Sequence, residues 1–100
     1  MKEDFEISLR LSAQRALLGE IASNMRLITI GWDDELRQFQ IIVYFDKEVT
    51  EDDKENINNI TAEILADIDF KSEKIECVYE KRQQNELKLL SFVVFARKEK

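Results

Sequence analysis

Histidine is absent from this 100-residue sequence, and with it the commonest general base, proton shuttle and metal ligand. Triad-type nucleophilic catalysis is thereby excluded. Proline is also absent and the only glycines are Gly19 and Gly31, so Asp, Asn, Glu and Lys must make the turns. Neither glycine sits in a Walker or dinucleotide pattern, which argues against a phosphate-cradling loop. The single cysteine, Cys77, has no partner for an intramolecular disulfide. No basic segment followed by an apolar run opens the chain, and a reducing cytoplasm is the compartment expected. Nothing approaches the roughly 18 consecutive apolar residues of a membrane span. The longest apolar patch, residues 89–96, is strand-sized and interrupted by Ser91, so no membrane insertion is expected.

What is present is a balance of 44% hydrophobic and 36% charged residues, with Ile, Leu, Val and Phe recurring periodically. That composition predicts one folded domain over residues 1–100, with no room for a second. The formal net charge is −6, which argues against nucleic acid as a partner, because phosphate binding draws on clustered Lys and Arg. A basic protein is the better electrostatic match. The charge is unevenly placed. Residues 33–69 hold twelve acids and three bases, a net −9, which leaves the remainder at +3.

The hydrophobic pattern predicts six elements. Leu9, Ala13, Ala16, Leu17 and Ile21 share one face of a helix over residues 8–22, with Ser8 or Ser12 as N-cap and Asn24 beyond its end; Leu11 and Leu18 fall off that stripe. Residues 26–32 carry the β-branched and aromatic residues of a strand. Asp33, Asp34 and Glu35 turn it into a second strand, residues 36–46, where Phe39, Ile41, Val43 and Phe45 alternate with Gln38, Gln40, Ile42 and Tyr44. Thr50 and Asp53 have the spacing of a capping box, and Ile57, Ile60, Thr61, Ile64, Leu65 and Ile68 form the apolar stripe of the helix that follows. Ile75, Cys77 and Tyr79 mark a third strand. Residues 89–97 make a fourth, whose continuous apolar character predicts a central position. The order αββαββ fits an α+β fold with a four-stranded, mostly antiparallel sheet and both helices on one face, as in a permuted ferredoxin-like sandwich.

No residue set predicts catalysis, a metal or a cofactor. Cys77 falls on the inward side of its strand, where a free cysteine is a small apolar filler with a raised pKa. Glu48, Glu51, Asp52, Asp53 and Glu55 lack the alternating ligands and central glycine of a calcium loop, and acids at a helix start are explained by capping and the helix dipole. Trp32, Tyr44 and Tyr79 are candidate recognition aromatics, although such residues more often fill cores. If Phe39, Ile41, Val43 and Phe45 face the helices, the opposite sheet face carries Ile42, Tyr44 and Val78, and an apolar patch rimmed by acids marks a protein contact. The expected partner-binding residues are Asp33, Asp34, Glu48, Glu51, Asp52 and Asp53, with Ile42 and Tyr44.

The run from Leu11 to Ile21 (LSAQRALLGEI) with Asn24-Met25-Arg26 resembles bacterial toxin-immunity proteins of the colicin and contact-dependent growth inhibition types. Tyr44-Phe45-Asp46, the acidic Thr50-Glu51-Asp52-Asp53, Ala62 to Asp67 and the closing segment from Val93 to Glu99 agree with it. Residues 70–90 depart from it, lacking the prolines expected there. The resemblance implies a cognate protein toxin as partner, a basic nuclease being the match for this charge. The alternative is a non-catalytic structural or adaptor subunit that acts by self-association, as a homodimer.

Overall fold

The computed structural model describes residues 2–99, with side chains from residue 4 onward. Its elements run α1 (Lys2–Leu17), β1 (Met25–Asp33), β2 (Gln38–Phe45), α2 (Glu51–Asp67), β3 (Ser72–Tyr79), a 3-10 turn (Gln84–Glu86) and β4 (Phe92–Ala96). The αββαββ order is as expected. The sheet order is β3-β2-β1-β4, with β1 antiparallel to both β2 and β4 and β2 parallel to β3. The sheet is therefore mixed. The crossover through α2 lays β3 directly beside β2, whereas the split βαβ of a ferredoxin-like sandwich puts a strand between them.

Both helices lie on one sheet face. Leu9, Ala13, Ala16 and Leu17 of α1 and Ile57, Ile60 and Ile64 of α2 share a core with Ile28, Ile30, Phe39, Ile41, Val43 and Phe45. The period-two alternation of β2 is what sends its phenylalanines into that core. At the start of α2, the Asp53 amide donates to Thr50 Oγ1 while the Thr50 amide donates to Asp53 Oδ2, satisfying two otherwise orphaned donors.

Helix α1 differs from expectation at both ends. It begins at Lys2, so Ser8 and Ser12 lie inside it, and Ser12 Oγ donates to Asp67 Oδ2 at 2.8 Å instead of capping. It stops at Leu17 because Gly19, at φ +77°, takes the left-handed conformation that closes a helix C-terminus. Leu11 and Leu18 are exposed.

Strand β4 is a second correction: it is an edge strand beside β1, and it is not central. Its apolar run reflects cover on both faces. Phe92 and Phe95 pack toward the helices, and Val93 packs beneath the sheet with Leu87 and Leu90 of the β3–β4 connection. Continuous apolarity reports such cover, not lateral position in the sheet. The connection runs so close to β1 that a Cβ on Gly31 would sit 2.9 Å from Ser91 Oγ and 3.1 Å from the Ser91 amide nitrogen. Thr29 Oγ1 fastens it, accepting from the Leu90 amide and donating to the Phe92 carbonyl, both at 2.9 Å. Among the described residues, no helix is long and apolar enough to cross a membrane.

Candidate functional site

The expected contact acids among those concentrated in residues 33–69 separate into two groups in space. Asp33 and Asp34 lie at the β1–β2 hairpin, near Asp69 in the α2–β3 connection. Glu48, Glu51, Asp52 and Asp53 lie at the start of α2, beyond the far end of β2. The 17 residues of α2 hold the two groups about 25 Å apart. The structure does not gather the expected contact acids into one patch.

At the α2 start, Asp53 is committed to the fold: beyond its capping box it accepts from Asn24 Nδ2 at 3.3 Å. Those hydrogen bonds hold its carboxyl below the usual aspartate range, the Thr50 amide contributing most. Glu48, Glu51 and Asp52 are exposed; Glu51 makes only a loose contact with Lys54 at 3.7 Å. Charge here is available to a partner at Glu48, Glu51 and Asp52.

Ile42 and Tyr44 occupy the opposite sheet face, but not its surface. They are 3% and 5% exposed and form a second, smaller core with Leu27 and Leu87. Tyr44 Oη donates to the Lys88 carbonyl at 2.8 Å, so the β3–β4 connection seals both residues. The apolar patch expected on that face is interior. A contact through Ile42 or Tyr44 would require this connection to lift.

At the hairpin end, a depression of about 400 Å³ is lined by Phe5, Trp32 and Phe70 with Asp33, Asp34, Arg37 and Asp69. The Phe5 ring meets Trp32 edge-to-face at 5.1 Å and Phe70 at 5.9 Å. Asp33 Oδ1 accepts from the Leu36 amide at 3.0 Å, closing the hairpin, and Asp34 Oδ1 accepts from Trp32 Nε1 at 3.0 Å. Arg37, at φ +50°, reaches across to the Asp69 carbonyl at 3.3 Å and its carboxylate at 3.6 Å. Sequence reasoning identified Asp33, Asp34 and Trp32 separately and missed Phe5, Arg37, Asp69 and Phe70. The available signal was the pairing of an aromatic with an acid at two element ends, Trp32-Asp33 and Asp69-Phe70.

A third cluster closes the other end of the sheet. Arg26, 6% exposed, donates from Nε and Nη2 to the two Glu99 oxygens, each at 2.8 Å. Arg97 bridges Asp46 at 2.7 Å and Glu99 at 3.0 Å. The hydrogen bond from Arg26 foremost, then that from Arg97, pulls the Glu99 carboxyl down to about 2. Paired charges of both signs make this a clasp that ties the C-terminal segment to β1. No group of three or more acids or cysteines with metal-ligand geometry occurs among the described residues.

Residues 6–99 match the family described as MafI2 immunity protein. The chain belongs to that family. The match spans nearly the whole sequence, so the two cores, both acid groups and the clasp all fall within it. No curated protein matches the chain. A MafI2 immunity protein neutralises a cognate toxin, and the class is generally non-catalytic. Family membership thus bears out the toxin-immunity reading at that level, without specifying the toxin's activity or its route of delivery.

Proposed function

We propose that this MafI2 family member is a one-domain cytoplasmic protein that neutralises a basic toxin domain, a nuclease, by binding it through exposed carboxylates. The observation that carries this is the solvent-facing acid at both ends of α2. At one end Asp34 and Asp69 are exposed beside half-buried Asp33, with Arg37 offsetting only Asp69; at the other Glu48, Glu51 and Asp52 are exposed, with Lys54 in loose contact with Glu51 alone. Nucleases need positive charge to hold phosphate, so an acidic inhibitor is steered to the surface that substrate would occupy. Contact-dependent or colicin-like delivery would bring such a toxin to a sister cell, where a cytoplasmic inhibitor has to act. The test is degradation of DNA and RNA by the purified cognate toxin with increasing amounts of this protein. Loss of degradation at one equivalent is expected. A toxin that binds tightly but cleaves neither substrate would contradict the nuclease assignment.

Self-association is favoured by a different feature. Ile7 and Leu11 on α1 and Leu18 just beyond its end are exposed, and Leu18 with Ile21, Val94 and Phe95 borders a groove beside the β4 edge. A homodimer would use this face and leave the acids free. Light scattering that gives a monomer mass at high protein concentration would remove that reading.

A further inference from the structure

The hairpin-end depression combines aromatic walls with an acidic rim. Its walls are aromatic, and Phe5, Trp32 and Phe70 all remain half-buried, packed partly on the main core. Its rim carries Asp33, Asp34 and Asp69 against Arg37, the one cation among its described lining residues. An anion or a phosphate is repelled by that rim. A neutral apolar ligand would have to desolvate three carboxylates. What satisfies both walls and rim is a cation with an extended flat face, because aromatic rings attract cations through the quadrupole and carboxylates accept forked donors. A guanidinium does both, whereas an ammonium is a compact, strongly hydrated point charge.

The carboxylates are also arranged to accept. Asp33 and Asp34 each use Oδ1 within the chain, for the Leu36 amide and the Trp32 indole. Asp69 is 94% exposed at its side chain. The indole hydrogen bond fixes the Trp32 ring against Phe5, so the wall is set before any ligand arrives, and preorganisation of that kind favours affinity. We infer that this depression is an anchor pocket that receives an arginine side chain of the toxin domain. The inference rests on the reading that exposed acids engage a basic toxin, and it assigns one contact within that interface.

Trp32 is the only tryptophan in the chain, so protein labelled with 5-fluorotryptophan reports on the pocket as a single fluorine resonance. Adding unlabelled cognate toxin should shift that resonance. The variant Asp33→Asn, Asp34→Asn, Asp69→Asn keeps each side chain's shape and an acceptor oxygen while removing charge, and should weaken the complex roughly tenfold or more, mainly through faster dissociation, as loss of a buried anchor does. If the triple variant melts early, Asp69→Asn alone carries the comparison, since its side chain is open to solvent. Acetyl-arginine amide should shift the Trp32 resonance more than acetyl-lysine amide does, and an equal or larger effect of lysine would overturn the arginine assignment. A complex that forms with the Trp32 resonance unmoved and unchanged affinity in the charge-free variant would overturn the pocket while leaving toxin binding intact. Absence of any complex would instead sink the underlying reading.

Discussion

At the scale of single residues, much of the stability hangs on positions that a reader of composition would pass over. Gly31 is one, because the Leu90-Ser91 backbone crosses β1 where a side chain would stand. Gly31→Ala should lower stability by about 1–3 kcal/mol, as overpacking does when backbone must shift; an unchanged denaturation midpoint would show that the connection is free to move. Arg26 is another. Its guanidinium is nearly buried and depends on Glu99, whose carboxyl drops from 4.5 to about 2 on folding. A carboxyl depressed in the folded state stabilises fully above its unfolded value, and that contribution disappears as pH falls from about 4.5 to about 2. Glu80, held at about 2 chiefly by the Arg82 side chain, acts in the same sense. Glu99→Gln should therefore cost about 1.5–3 kcal/mol at neutral pH, toward the lower end because Glu99 touches water. It should also flatten the acid limb of a stability-versus-pH curve. A variant curve parallel to the wild type from pH 5 to pH 2 would mean that the clasp is not formed.

Among the elements, α2 is the most legible in sequence, and the reason is local. Its capping box, acidic first turn and isoleucine stripe are all encoded within its own residues. Thr50→Ala should cost about 1 kcal/mol, and Ile64→Ala, at a 1% exposed core position, about 2–5 kcal/mol. Thermal melts of the two variants check both, and equal losses would show that the stripe had been misread. The edges of α1 and the place of β4 were less legible, because each is set by something remote or conformational. Gly19 ends α1 through its left-handed φ, which pattern alone does not display, and β4 reads as central because a connecting segment covers it. Ile42 and Tyr44 show the same limit. Alternation put them on the correct face of β2, but nothing in β2 tells that residues 80–91 fold back over that face. Of the residues lining the hairpin-end depression, the sequence pattern marks Asp33 and Asp34, whereas Phe5, Asp69 and Phe70 join them only through tertiary packing.

For the whole molecule, the decisive property is how charge is distributed over a rigid frame. The clasp at Arg26, Arg97, Asp46 and Glu99 neutralises itself, as does the Ser12, Arg15 and Asp67 contact between the helices. Subtracting these leaves exposed acid at the two ends of α2 and, between them, at Glu55 and Glu63, a field that reaches about 8–10 Å into solution at physiological salt. Such a field acts on encounter before it acts on the bound state, so under the proposed function steering and anchoring are separable: Glu48, Glu51 and Asp52 would govern arrival, and the pocket acids would govern residence. The most direct measurement is the association rate of the cognate toxin at two ionic strengths, for the wild type and for Glu48→Lys, Glu51→Lys, Asp52→Lys. Asp53 is left intact so that α2 keeps its cap, and circular dichroism confirms folding. A wild-type rate that falls steeply with salt is expected, and a variant rate that is roughly tenfold or more lower at low salt with a flatter dependence. A folded variant that associates at the wild-type rate, with the same salt slope, would contradict the claim that this acidic surface recognises a basic toxin.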